Sequence, residues 1–176
     1  MSLRIETDRL ILRPFTESDA AAACHNSRQP IVAHNMSDMV HDTEEDALGW
    51  IRYVNTNLSD ISKPSMVFAI QLKANGTVIG RIYINRKKQW GNIVEIGFSV
   101  VDEHQNCGYA TEAGKAIVKW TFEEAGQDEL SAFVKPENIA SRRVIEKLGF
   151  IYIDTRTEHY DGSECVFDFY RICKPT

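Results

Sequence analysis

The sequence predicts an α/β (α+β) fold in which a mixed sheet is covered by helices. Three observations carry this. Short β-branched runs alternate with longer segments whose apolar residues recur at helical spacing. Two of the strand runs are joined by the turn dipeptide Asn75-Gly76. The element order reads strand, two helices, three strands, helix, strand, helix, two strands, and that order needs helices packed on a sheet. With 176 residues, 43% of them apolar, the chain is long enough for one domain, residues 1–176, with a substantial core.

In order, "RLILRPF" is the first strand. "TESD" (Thr16 to Asp19) is a capping box opening an Ala-rich helix, and "TEED" (Thr43 to Asp46) opens a second, with Ala47, Trp50, Ile51, Val54 and Leu58 at helical spacing. "SMVFAIQL" and "TVIGRIYI" form a hairpin through "KANG". A loop, "NRKKQWG", leads to the strand "NIVEIGFSVV". Tyr109 to Ala125 is a helix with Ala110, Ala113, Gly114, Ile117 and Thr121 on one face. "LSAFV" is a strand. Ile139 to Leu148 is a helix stopped by Gly149, with Phe150 packing back. The remainder is two strands around a turn containing Asp161-Gly162.

Composition excludes several functions. No run of 18 apolar residues is present, so no transmembrane helix is expected, and the charged opening "MSLRIETDRLILRPF" is no signal peptide. A net charge of −5 disfavours nucleic acid, and "RKK" (Arg86 to Lys88) beside Trp90 reads as a solvated tip. Four cysteines without paired spacing point to a reducing, cytoplasmic setting. Five scattered histidines and no ligand motif argue against a metal.

The informative stretch is "DEHQNCGYATEAGKAIVKW" (Asp102 to Trp120). A helix starts behind Gly108 with no Ser, Thr, Asp or Asn just before its apolar run. A helix N-terminus presents free N–H groups and partial positive charge, and a glycine lets a ligand approach, so an anion can take the cap's place. A Walker loop fails, because Gly108 to Gly114-Lys115-Ala116 is one residue too long and lacks the magnesium hydroxyl. A GxGxxG fingerprint fails at Ala110. The pattern [Q/R]xxGx[G/A] fits "QNCGYA", Gln105 to Ala110.

With that loop, "ENIASRRVIEKLGF" (Glu137 to Phe150) and "VEIGF" (Val94 to Phe98), the chain resembles the GNAT family of acetyl-CoA-dependent N-acetyltransferases. The opening "ETDRLILRPFTESDA" resembles the branch that acetylates ribosomal-protein N-termini. The resemblance implies a mostly antiparallel sheet flanked by about four helices. It implies that Gln105, Asn106, Cys107, Gly108, Tyr109, Ala110 and Thr111 hold the coenzyme A pyrophosphate. Phe98, Ser99 and Val100 would run beside the acyl-pantetheine arm, with the oxyanion held by a backbone N–H of Phe98 to Val101. Asn138 would bond the pantetheine amide. Asn106 and Cys107 stand where the family often has Gly and a basic residue; Asn tolerates left-handed geometry, so the turn survives.

Acetyl transfer needs a neutral amine, a stabilised oxyanion and a protonated leaving thiolate. Glu95, within an apolar strand, is the first candidate base, against a structural reading in which it points outward or pairs with an arginine. Glu158, His159 and Tyr160 are rivals. The family's tyrosine acid falls at Ile145, so the resemblance shifts the thiolate's donor to Ser141, which otherwise reads as a helix cap. Asn138 reads equally as an N-cap. Cys107, near His104, invites a covalent acyl-enzyme, but direct attack is preferred. The expected acceptor is a primary amine, a protein N-terminus or a small amine such as a polyamine; a non-catalytic acyl-CoA-binding module is the alternative class.

Overall fold

The computed structural model describes residues 3–56, 65–160 and 162–175. The chain runs β1 (Ile5–Glu6), β2 (Leu10–Arg13), α1 (Ala20–Ser27), α2 (Pro30–Asn35), α3 (Glu44–Thr56), β3 (Ser65–Leu72), β4 (Val78–Lys87), β5 (Ile93–Val100), α4 (Tyr109–Glu123), β6 (Glu129–Val134), α5 (Ile139–Lys147), β7 (Ile151–Tyr160) and β8 (Ser163–Cys173). The strands form one eight-stranded sheet in the order β1-β2-β3-β4-β5-β6-β8-β7. The pairs are antiparallel apart from β5 and β6, which run parallel.

The predicted boundaries arise from local chemistry. Thr16 N–H donates to Asp19 Oδ2 at 2.7 Å, which fixes the turn leading into α1. Thr43 and Asp46 bond reciprocally, Thr43 N–H to Asp46 Oδ2 at 3.0 Å and Asp46 N–H to Thr43 Oγ1 at 3.1 Å, and start α3. Gly149 adopts φ +90°, and Phe150 N–H reaches back to Ile145 O at 3.2 Å, closing α5. Leu58 and Asp161 lie outside the described residues.

Three features differ from the sequence reading. The two-residue strand β1 and the helix α2 are additional, so among the described residues five helices flank the sheet rather than about four. Pro30 at the first turn is the signal that marks α2. The loop read as "NRKKQWG" begins later: β4 continues through Lys87, with Asn85 opposite Glu95, Arg86 opposite Val94 and Lys87 opposite Ile93. The ladder's backbone bonds carry these polar residues as strand.

Side chains alternate across the sheet and feed two cores. Met66, Phe68 and Ile70 of β3 pack with Ala113 and Ile117 of α4. Val67 and Ala69, one residue out of step, pack with Ala23 of α1 and Ala47 and Ile51 of α3. Burying a Phe or Ile contributes about 1.5–3 kcal/mol, so this two-sided β3 is a main anchor of the sheet. Gly114 is where α5 crosses α4: a Cβ there would fall 2.6 Å from Leu148 Cδ1. No helix among the described residues is long and apolar enough to cross a membrane.

Candidate active site

The parallel pair β5–β6 is joined by one register pair, Glu95 with Ser131. Further along, Phe98 of β5 and Val134 of β6 line a common opening instead of a ladder. Each strand leads by a short connection into a helix, β5 into α4 and β6 into α5. Both helix N-termini therefore sit at the carboxyl ends of the parallel strands, the edge of an α/β sheet where ligands bind.

An outer cleft of about 350 Å³ occupies this edge. Phe98, Ser99 and Val100 line one wall, and Gln105, Asn106, Gly108, Tyr109, Ala110 and Thr111 line a second. Asn138 and Ser141 of α5 close a third. Gln105 ties the loop to the strand end, donating from Nε2 to Val100 O at 3.1 Å and to Asp102 Oδ1 at 2.9 Å. Asn106 (φ +58°) and Gly108 (φ +81°) both take left-handed conformation, so the turn tolerates Asn where the family often has Gly. Gly108 is the N-cap of α4, and no side chain caps the helix. Its first turn is thus open to an anion. Ser99 Oγ is buried without a hydrogen-bond partner among the described residues, a polar atom suited to a ligand. Arg143 and Lys147, one turn apart on α5, add positive charge to the cleft wall. These features fit an elongated, polyanionic ligand such as coenzyme A.

Arg9 was not singled out by sequence. Its guanidinium donates to Glu112 Oε2 at 2.7 Å and to Cys107 O at 3.0 Å, and lies 4.4 Å from the Tyr109 ring centre. It clamps the loop and brings back a cation where positions 106 and 107 have none. Glu112 also accepts from Thr7 Oγ1 at 2.6 Å and from Arg9 N–H at 2.9 Å. Burial alone would raise the Glu112 pKa, but the bonds from Thr7 and Arg9 together hold it below its ordinary 4.5. Because the folded-state pKa is depressed, this contribution is fully present above about pH 4.5 and is lost as pH falls through the lowered value. Chemical denaturation of Glu112→Gln between pH 7 and pH 3 should show a shallower acid loss of stability than wild type. Parallel curves would remove Glu112 from the fold's acid sensitivity.

A second, inner pocket of about 100 Å³ shares Phe98, Asn138 and Ser141 with the outer cleft. It takes Glu95 and Tyr83 from one sheet face and Ile96 and Phe98 from the other, so the opening passes between β5 and β6. Glu95 does not point outward: it is 7% exposed, and Lys87 Nζ lies 3.4 Å from its Oε2. Direct opposition of Tyr83 and Gly97 lets the Tyr83 ring lie across the strand, where a Cβ on Gly97 would overlap it.

On α5 the cap is Asn138, whose Oδ1 accepts from Ser141 N–H at 3.1 Å. Ser141 is therefore not the cap, and it lines both pockets. Ile145, buried in the inner pocket, supplies no proton donor. Arg142 fastens α5 to β8 through Asp168 Oδ2 at 3.1 Å.

The rival groups separate. Of Glu158, His159 and Tyr160, Tyr160 reaches the inner pocket. Cys107 is exposed and outside the lining of both pockets, its carbonyl held by Arg9. The "RKK" tip divides: Arg86 bonds Asn92 O and Gln127 Oε1, Lys87 turns to Glu95, and Trp90 enters the inner pocket, so only Lys88 fits the solvated reading. No cluster of three or more metal-ligating side chains occurs among the described residues.

A glycine-capped helix stands at the split of a mixed sheet, with an open cleft on one side of the split and a smaller pocket holding a buried carboxylate on the other. Comparison with known proteins gives the family. Residues 9–151 match the acetyltransferase (GNAT) domain. The uncharacterised N-acetyltransferase YnaD of Bacillus subtilis is 34% identical over 84% of this chain and 82% of its own. The crystal structure of a GNAT-family acetyltransferase from Bacillus anthracis superposes with TM-score 0.80 at 25% identity, covering 97% of this chain and 98% of that one. The crystal structure of a ribosomal-protein-S5-alanine acetyltransferase from Vibrio fischeri shares the fold with TM-score 0.79 at 18% identity, over 98% and 100% of the two chains. The chain belongs to the GNAT acetyltransferase family and is an N-acetyltransferase.

Proposed function

We propose that this enzyme transfers the acetyl group of acetyl-CoA to a primary amine by direct attack. The observation that carries the reading is the continuity of the outer cleft with the pocket holding Glu95, through a gap lined by Phe98, Asn138 and Ser141. Gly108 to Thr111 would cradle the pyrophosphate, with Ser99, Asn138 and the N–H groups of Phe98 to Val101 along the arm. Glu95 takes a proton from the incoming ammonium. The neutral nitrogen then bonds to the acetyl carbon and the carbon–sulfur bond breaks. The nitrogen sheds its remaining excess proton, sulfur gains one, and the products are the amide and free thiol. Ser141 donates a hydrogen bond to the departing sulfur. Cys107 stays outside the chemistry, because it lines neither pocket.

Within that class a protein N-terminus is one acceptor, supported by the opening residues and by the shared fold with a ribosomal-protein-S5-alanine acetyltransferase. Free-thiol release from acetyl-CoA that depends on added amine is the test. Acetyl-CoA binding without amine-dependent release would leave a binding module instead. Ser141→Ala should lower kcat by about tenfold with little change in melting temperature, since Asn138 caps α5. An unchanged kcat at saturating acetyl-CoA would remove Ser141 from the chemistry.

A further inference from the structure

The inner pocket carries information about its acceptor. Its wall is aromatic: Trp90 lies 4.4 Å from Phe133 and 6.0 Å from Phe167, and Tyr160 lies 5.8 Å from Phe167, centre to centre. Among the described residues of its lining, Glu95 is the acid, set against Lys87 and Lys135. Lys135 Nζ donates to the His34 carbonyl at 2.7 Å and has no ion pair among the described residues. Lys87 has a side chain 14% exposed, with its ammonium 3.4 Å from Glu95 Oε2 and 5.2 Å above the Trp90 ring.

These charges constrain the reaction. If Glu95 takes the amine's proton it becomes neutral, and Lys87 loses a counter-charge while buried, which is costly. An acceptor that brings its own anion removes that cost. A polyamine does the reverse, adding cations to a pocket whose described ionic groups already sum to positive.

We propose that the acceptor is a free α-amino acid with an apolar or aromatic side chain, which rests on the acetyl-transfer reading above. Its ammonium faces Glu95, its carboxylate faces Lys87, and its side chain packs against Trp90, Phe133 and Phe167. An α-amino acid bears both charges on one carbon, so it matches the adjacent Lys87–Glu95 pair charge for charge. After Glu95 is protonated, the substrate carboxylate holds the Lys87 charge.

The test compares thiol release with phenylalanine, tryptophan and leucine, with their amides, and with spermidine. Rates are read as pH-independent kcat/KM, so that differing amine basicity does not enter. The acids should exceed their amides by about tenfold or more, with spermidine lowest. Lys87→Met should bring the acid-to-amide ratio close to one, whatever its effect on the absolute rate. Equal or better use of the amides, or preference for spermidine, overturns this inference and leaves acetyl transfer standing. No thiol release with any amine overturns the acetyl-transfer reading and this inference with it. Should Lys87→Met not fold, the wild-type ratios alone decide.

Discussion

Glu95→Gln is expected to lower kcat by about 100-fold or more near neutral pH while acetyl-CoA affinity stays unchanged. The carboxylate is buried in the inner pocket and outside the outer cleft, so the variant touches the acceptor side alone. The loss should shrink at pH 9 with an N-terminal peptide amine, whose pKa of about 8 leaves it already neutral there. Gln keeps the shape but leaves Lys87 without its carboxylate, so some stability should go as well. Adding Lys87→Met should return stability and leave turnover low, separating chemistry from fold. Normal turnover of Glu95→Gln at pH 7 would move the base to a water chain or to Tyr160.

Gly108→Glu is expected to abolish stabilisation by acetyl-CoA. Ligand at a hundredfold excess over Kd stabilises a protein by about 2.7 kcal/mol, readily seen as a rise in melting temperature. The variant places a carboxylate at the open turn of α4, where the anion would sit, and a side chain at φ +81°. The conformational cost of that φ is about 1–2 kcal/mol, which lowers the baseline melting temperature without removing the fold. Gly108→Asn accepts the left-handed conformation and adds no charge, so it should keep more of the ligand response. An undiminished response in Gly108→Glu would place the ligand elsewhere.

Most of the strands and the two capped helices were legible because the signals are local: alternation, Asn75-Gly76, the Thr–Asp boxes and Gly149. The loop at Gln105 to Ala110 was legible for the same reason, since left-handed turns at a helix start need particular residues. What was missed depends on pairing between distant segments. Lys87 read as part of a loop because its polarity outweighed a ladder that only the partner strand β5 supplies. Arg9 looked like a strand terminus, yet it reaches across the sheet end to Cys107 and Glu112. Trp90 looked solvated and joins the pocket because β4 and β5 bring it there. Asn138 and Ser141 both read as possible caps, and the choice between them is made by which residue stands outside the helix.

The measurement that bears most directly on the account is the position of acetyl-CoA in a complex with this chain. The pyrophosphate should lie against the N–H groups of Tyr109 to Thr111. The arm should run between Ser99 and Asn138, and the thioester should sit in the gap between β5 and β6, with Ser141 on one side and Glu95 facing through it. A pyrophosphate away from Gly108, or a thioester outside that gap, would contradict it.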